Sequence, residues 1–200
     1  MPNWCNQQLT IKGDKQERDR LVALVTTENG YQLTSLHPCP PELMETVRGW
    51  TNDEDLQRQH EEQQQRNIDK YGYKDWYDWA YANWDSKWSD CDTELEYHDD
   101  YTSFVFQSAW SPMCALITKL SEIFPSLVFG LAYTEEAHLF AGWSVFHEGK
   151  FVTSYDHPID WESCPDWEAD PDGHSAWEEE IYMNHDYLLG GVLSTLLLKN

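Results

Sequence analysis

The stretch from Thr102 to Phe146 constrains the fold more than any other, because it runs strand, helix, strand, strand with short breaks between. Phe104, Val105 and Phe106 mark a buried strand over Thr102 to Ser108. Trp110-Ser111-Pro112 opens a helix with proline near its first turn, and Leu116, Ile117, Leu120 and Phe124 form its apolar face. Pro125 closes that helix. Leu127 to Tyr133 and Leu139 to Phe146 read as two further strands, hairpinned across Thr134 to His138. Nearer the start, Met1 to Gly13 alternates as a half-buried strand does, and Asp14 is placed to cap a helix running to Thr27. That helix carries Leu21, Leu24 and Val25 on one face, with Glu17, Arg18 and Arg20 outside it. Asn29-Gly30 ends it, and Tyr31 to Leu36 reads as a second short strand. Two β-α-β units in this order predict an α+β sandwich of the ferredoxin-like, split β-α-β type, one sheet with helices on one face.

Between the two units lies a different composition. His37-Pro38-Cys39-Pro40-Pro41 breaks regular structure, since prolines remove donors and fix the backbone. Leu56 to Lys70 is a polar, Gln-rich helix candidate. Trp76, Ala80, Trp84 and Trp88 follow at spacings of four, with Tyr73, Tyr77 and Tyr81 on the neighbouring stripe, the pattern of a helix with an aromatic side packed into a core. Asp90 to Asp100 reads as an acidic connector. The expected layout is a ferredoxin-like domain over residues 1–150, with a helical, aromatic-rich insertion over about 42–100. An acidic C-terminal extension over 151–200 follows, docked on the domain by Trp161, Trp167 and Trp177, with a last helix from Ala176 to about Leu189.

Charge excludes several functions. The chain of 200 residues has 13 Lys and Arg against 36 Asp and Glu, a formal net charge of -23. Residues 51–100 and 151–200 together hold -20 of it. A field of that sign repels nucleic acid and anionic lipid and attracts cations or basic protein surfaces. No apolar run approaches the roughly 18 residues of a membrane span. The longest, Leu188 to Leu198, is broken by Gly190, Gly191, Ser194 and Thr195. Five Cys, an odd number with no C-x-x-C pair, and no signal-peptide layout point to a cytoplasmic protein in a reducing environment.

Several blocks carry a family resemblance. Asn3-Trp4-Cys5, Leu36-His37-Pro38-Cys39-Pro40-Pro41-Glu42-Leu43 and Asn83-Trp84-Asp85-Ser86-Lys87-Trp88 belong to it. So do Phe106-Gln107-Ser108-Ala109-Trp110-Ser111-Pro112, Phe124-Pro125 and Tyr133-Thr134-Glu135. In this order, over roughly residues 1–150, the chain resembles the YubB-type ferredoxin-like domain family of phage- and plasmid-encoded proteins. The resemblance implies a ferredoxin-like fold in a small cytosolic protein of mobile elements, and it implies no catalytic residues. Where the family pattern resembles Asn-Trp-Gly-Thr-Lys this chain has Asp85-Ser86, and Met113 stands where a second proline of Trp-Ser-Pro-Pro is expected. A glycine is likewise expected in the turn near Ala137.

Candidate sites are few. Asp90, Asp92, Glu94 and Glu96 alternate, and on a strand would form a row of carboxylates about 6.7 Å apart. With Asp99 and Asp100 beyond them they make a partner-binding candidate that imitates a phosphate backbone, or else a solvated linker. Asn83 and Lys87 are polar exceptions on the aromatic stripe and candidates for partner contact. Glu168, Asp170, Asp172, Gly173 and Glu179 have the spacing of an EF-hand calcium loop, with Glu in place of Asp at its first position. Asp156, His157, Cys164 and His174 can be drawn as a zinc site, although their spacing fits no standard arrangement. A nucleotide on the aromatic insertion would need Arg66, Lys70, Lys74 and Lys87 to offset the overall field. No His lies beside a Cys, and no P-loop, Gly-x-Gly-x-x-Gly or Gly-x-Ser-x-Gly is present.

The expected function is therefore that of a non-enzymatic acidic accessory protein of a phage or plasmid. Its partner would be a basic host protein, a nucleic-acid-binding defence factor inhibited in the manner of a DNA mimic, an anti-CRISPR or an anti-restriction protein. The alternative is a small-ligand or calcium-binding module built on the acidic tail or the aromatic insertion.

Overall fold

The strand Trp4–Lys12 (β1) lies at the heart of the sheet, with side chains buried on both faces. The structure is a computed structural model, and it describes residues 3–137, 140–157 and 159–177 together with 179, 191, 192, 194 and 195. Helix Lys15–Val25 (α1) follows β1, and its cap, Asp14, accepts from the backbone N–H of Gln16 and Glu17 as a capping aspartate should. Leu21, Val22 and Val25 are buried. The same helix corrects two expectations: Leu24 is 49% exposed, and Arg18 is buried. Arg18 points inward because each guanidinium nitrogen finds an acceptor: Nε on the Gly13 carbonyl, Nη1 on Thr102 Oγ1 and Nη2 on the Asp99 carbonyl.

The chain then makes a small hairpin, Thr26–Thr27 (β2) with Gly30–Tyr31 (β3), and a 3-10 turn over Leu33–Leu36. Three helices follow: Pro41–Met44 (α2), Glu54–Tyr71 (α3) and Trp76–Trp84 (α4). In α3 the buried residue is Asn67, as its polar sequence requires. Trp79, Ala80 and Trp84 of α4 join the main core, whereas Trp88 lies beyond the helix, which stops where Asp85 turns left-handed (φ 58°).

Strands Cys91–Tyr97 (β4) and Tyr101–Ala109 (β5), helix Cys114–Ile123 (α5), and strands Val128–Glu135 (β6), Ala141–His147 (β7) and Lys150–His157 (β8) complete the domain. The sheet order is β4-β5-β1-β6-β7-β8, and every neighbouring pair is antiparallel. In the first unit β1-α1-β4 encloses β5, and in the second β5-α5-β6 encloses β1. This is the ferredoxin-like α+β architecture, extended at one edge by β7 and β8.

Two strands differ from the sequence reading. The second strand of the first unit is β4 and not Tyr31–Leu36, so the insertion precedes β4 and occupies residues 26–90. Glu and Asp have low strand propensity, and β4 was masked by its own charges. It is an edge strand with Asp92, Glu94 and Glu96 exposed and Thr93 and Leu95 half-buried. Strand β8 is an addition: Glu148 (φ 51°) and Gly149 (φ 70°) make a two-residue turn with both residues at positive φ, which folds the chain back along β7.

The acidic extension reaches the sheet through Val192 and not through Trp161 and Trp167, which are exposed. Val192, fully buried, packs with Ala132, Ala141 and Val145 on the face opposite α5, with Ile159, Trp143 and Tyr155 beside them. Helical residues 191 and 192 therefore cover the second face at β6–β8, and the helices are not confined to one side. Residues 171–177 are helical; the remainder of the helix expected from Ala176 to Leu189 lies outside the described residues, apart from Glu179.

Asp90, ahead of β4, is buried and fully engaged. Its carboxylate accepts from the Leu33 and Thr34 backbone N–H (2.7 and 3.0 Å) and from the Thr34 and Thr93 hydroxyls (both 2.8 Å). Removing it orphans two buried amides, so Asp90→Ala is expected to destabilise the protein by about 3 kcal/mol. Glu94→Ala on the wet face should stay within about 0.5 kcal/mol, both read from urea denaturation midpoints. A Cβ on Gly142 would lie 2.4 Å from the Tyr155 carbonyl oxygen, a backbone atom of the adjoining strand. Gly142→Ala should cost about 2 kcal/mol in the same assay.

Candidate functional site

Hydrogen bonds gather the separate sequence blocks at one end of the sheet. Gln7 donates from Nε2 to Ser108 Oγ (2.6 Å) and accepts at Oε1 from the Met113 N–H (2.9 Å). The Trp110 N–H donates to the Asn3 carbonyl (3.0 Å) and the Glu136 N–H to the Trp4 carbonyl (2.8 Å). Ser111 Oγ donates to the Asp85 carbonyl. The Asp85 carboxylate accepts from the Ala115 N–H (2.6 Å), one of the N–H groups that the first turn of α5 leaves without a helical partner. Burial raises the Asp85 pKa, and the Ala115 bond acts against that rise. The start of β1, the α4–β4 turn, the β5–α5 turn and the end of β6 are thus one structure.

Lys87 lies on this surface between two indoles, its Nζ 3.9 Å from the Trp88 ring centre and 4.1 Å from that of Trp110. Such contacts contribute about 0.5–1 kcal/mol each at exposed sites. Trp4 stands 6.0 Å from Trp88, and Trp110 holds a left-handed backbone (φ 72°), unusual for an aromatic residue. Asn83 is turned inward: its Nδ2 donates to the Trp79 carbonyl (2.8 Å), and its Oδ1 lies 3.0 Å from His37 Nε2. The two polar exceptions on the aromatic stripe thus separate, Lys87 to a surface cleft and Asn83 to local hydrogen bonds.

Beside Lys87 opens a cleft of about 610 Å³ between the 3-10 turn and the aromatic insertion, lined by Trp76, Trp84 and Trp88 and by Cys39 and Cys91. The sequence places these aromatics in a core, and the cleft has no signal of its own because Trp76 and Trp84 both pack with the core and wall the cavity. The nucleotide-offsetting cluster does not form. Lys70 pairs with Glu42 (2.8 Å), Lys74 with Asp78 (3.2 Å) and Arg66 with Glu62 (4.0 Å).

On the opposite side of the same strand lies the acidic row. Asp92, Glu94 and Glu96 are exposed on β4, and Asp99 and Asp100 are exposed in the turn to β5. Asp90, buried against Leu33 and Thr34, is not part of that surface. Asp92 has φ 49° at a bulge between Cys91 and Glu94, so the spacing is irregular at its start. Ser103 donates to Glu96 (3.1 Å). A groove of about 460 Å³ runs from Asp92 and Glu94 across the sheet to Asn6, Gln107 and Thr134.

The metal candidates are not assembled. Asp170 caps the helical residues 171–177, accepting from the Gly173 N–H (3.0 Å), while Asp166 accepts from the Glu168 N–H (2.9 Å). Gly173, which an EF-hand needs in a sharp loop turn, sits inside that helix, and Glu168, Asp170, Asp172 and Glu179 do not converge. The acidic spacing serves helix capping. Cys164 Sγ and His174 Nδ1 approach to 3.6 Å, but among the described residues no group of three His, Cys, Asp or Glu side chains is arranged to hold a metal ion.

Residues 83–181 match the family described as the ferredoxin-like domain in Api92-like protein. A crystal structure of a protein api92 from Yersinia pseudotuberculosis superposes with a TM-score of 0.51 at 12% identity, covering 80% of this chain and 99% of that one. No curated protein matches the sequence. These likenesses establish the ferredoxin-like fold. Among the described residues no helix is long and apolar enough to cross a membrane.

The cysteines carry a test of nucleophilic chemistry. Burial pushes the Cys39 thiol up to about 11 and the Cys114 thiol up to about 12, and it raises Cys5 and Cys91 as well. Raised values keep these groups as thiols at pH 7, and the thiolate is the reactive form. In the native protein at pH 7, four of the five cysteines are expected to react slowly with a thiol-specific disulfide reagent. For Cys5, Cys39 and Cys114 the rates should rise about tenfold per pH unit between 8 and 10, and all five should react at once in urea.

Proposed function

We propose that the protein is a non-enzymatic binding protein that presents the acidic edge of its sheet to a basic protein surface. The observation that carries this reading is the row Asp92, Glu94 and Glu96 on a free edge strand, continued by Asp99 and Asp100 in the adjoining turn. Edge strands are commonly guarded by scattered charges, lysine above all, or by a proline. Here the charges are all of one sign, stand on one face, and lie in a chain of net charge -23. Such a surface steers cationic partners and makes association fast and salt-sensitive.

The partner this charge fits best is a protein whose own ligand is a polyanion, since a row of carboxylates can occupy a phosphate-binding surface. The sequence resemblance to phage- and plasmid-encoded ferredoxin-like proteins supplies a setting, in which a host nucleic-acid-binding defence factor is the target. The protein would then act in the cytoplasm as an inhibitor by occlusion, with no reaction of its own.

The test is capture of host proteins on the purified chain at low salt and at roughly 0.5 M salt, where the Debye length is about 4–5 Å. A nucleic-acid-binding protein is expected to be captured at low salt, lost at high salt and released by duplex DNA. The variant Asp92→Lys/Glu94→Lys/Glu96→Lys should lose it at least about a hundredfold in affinity. Capture that survives the triple variant, or that duplex DNA does not disturb, would rule the acidic edge out as the binding surface.

A further inference from the structure

We propose that the cleft between the 3-10 turn Leu33–Leu36 and helix α4 binds a planar aromatic compound carrying a single negative charge. The inference rests on this cleft alone and is independent of the acidic edge. At about 610 Å³ it falls in the range of small-molecule sites, roughly 300–1,000 Å³. Trp76, Trp84 and Trp88 line it, and the polar edge of Trp84 is already occupied, its Nε1 donating to the His37 carbonyl at 2.9 Å. What the indoles offer an occupant is mainly ring surface, which favours a flat, apolar body.

Charge selects the rest of the occupant. Among the described residues lining the cleft, Lys87 is the only one with a charge. Cys39 and Cys91 are held as neutral thiols by burial. The neighbouring Asp90 has both carboxylate oxygens taken by Leu33, Thr34 and Thr93, and it does not line the cavity. Lys87 enters no ion pair among the described residues; Trp88 and Trp110 position its ammonium by their ring faces, which leaves its N–H donors for an anion. A single cation at the cleft, in a chain of net charge -23, suits a carboxylate of charge -1 and disfavours a polyphosphate.

The proposal is tested by isothermal titration calorimetry of the whole chain with three probes: 2-naphthoate, its neutral analogue 2-naphthalenemethanol, and ADP. Saturable one-to-one binding of 2-naphthoate is expected, with the alcohol and ADP each at least about tenfold weaker. Lys87→Met should raise the naphthoate dissociation constant at least about tenfold, the size of one lost charge-assisted contact, and should abolish its advantage over the alcohol. Ser35→Trp, a change at an exposed residue of the cleft lining, should abolish binding of both in a chain that still unfolds cooperatively in urea, its midpoint lowered only by loss of the hydrogen bond from Ser35 to the Gln32 carbonyl. Absence of saturable naphthoate binding to the unaltered chain would overturn the proposal. So would ADP binding more tightly than naphthoate, or a preference for the anion that persists in Lys87→Met. Should Lys87→Met fail to fold, the probe comparison and Ser35→Trp decide the matter without it.

Discussion

From Cys5 to Lys12, β1 is paired on both sides, with β5 along one edge and β6 along the other. A strand in that position has no wet edge, and a polar side chain buried on either of its faces must find a partner within the protein or stand as a cost. Gln7 meets the demand most fully, donating to Ser108 and accepting from the Met113 amide, so one buried side chain ties the middle strand to the end of β5 and the start of α5. The turn motifs at that end of the sheet follow from this knot. Trp110 takes its left-handed backbone while its N–H reaches the Asn3 carbonyl, and this helps bring Trp88, Lys87 and the cleft into place.

The sheet order sets a second demand. With β5 between β1 and β4, the chain leaving α1 must cross to the far edge of the sheet, and residues 26–90 are inserted in that crossing. Asp90 lands the returning chain: its carboxylate takes the N–H groups at the head of the 3-10 turn and the Thr93 hydroxyl at the start of β4. Arg18 makes the corresponding tie at the other end of the same edge, joining α1 to the β4–β5 turn through the Asp99 carbonyl and Thr102. Two charged residues that composition alone would assign to solvent therefore hold the edge strand against the body of the domain.

Most of the architecture was legible because its signals are local. The cap at Asp14, the apolar face Leu116, Ile117 and Leu120, and the alternation in β1 each follow from a few adjacent residues. Apart from β8, whose partner β7 is adjacent across the Glu148-Gly149 turn, the failures share one physical origin: the deciding partner is distant in sequence. Arg18 looks like any surface arginine until Thr102 and the Asp99 carbonyl are beside it. The carboxylates of β4 hid a strand whose identity comes from pairing with β5. The candidate sites divide in the same way. Asp92, Glu94 and Glu96 stand out on the surface, whereas Asp90, at the head of the same alternation, is consumed by the fold. The cleft had no signature, since its walls come from the turn after α1 and from α4 together.

The position of β1 has a consequence for the order of events during synthesis. Trp4 leaves the ribosome long before its partner Ala109, and Cys5 longer still before Glu135. At about 5–20 residues per second the wait for β6 is roughly 6–26 s. Until β5 emerges, the strand that ends as the most protected element has two open edges, and one stays open until β6 follows; closing either requires a long loop. A protein built this way makes its central strand first and completes its pairing only when β6 emerges. The polar residues spaced along it, Asn6, Gln7, Gln8 and Thr10, lower the hazard of that exposed period, because a strand rich in amides and hydroxyls is less prone to collapse onto the wrong apolar partner than one made only of valine and isoleucine.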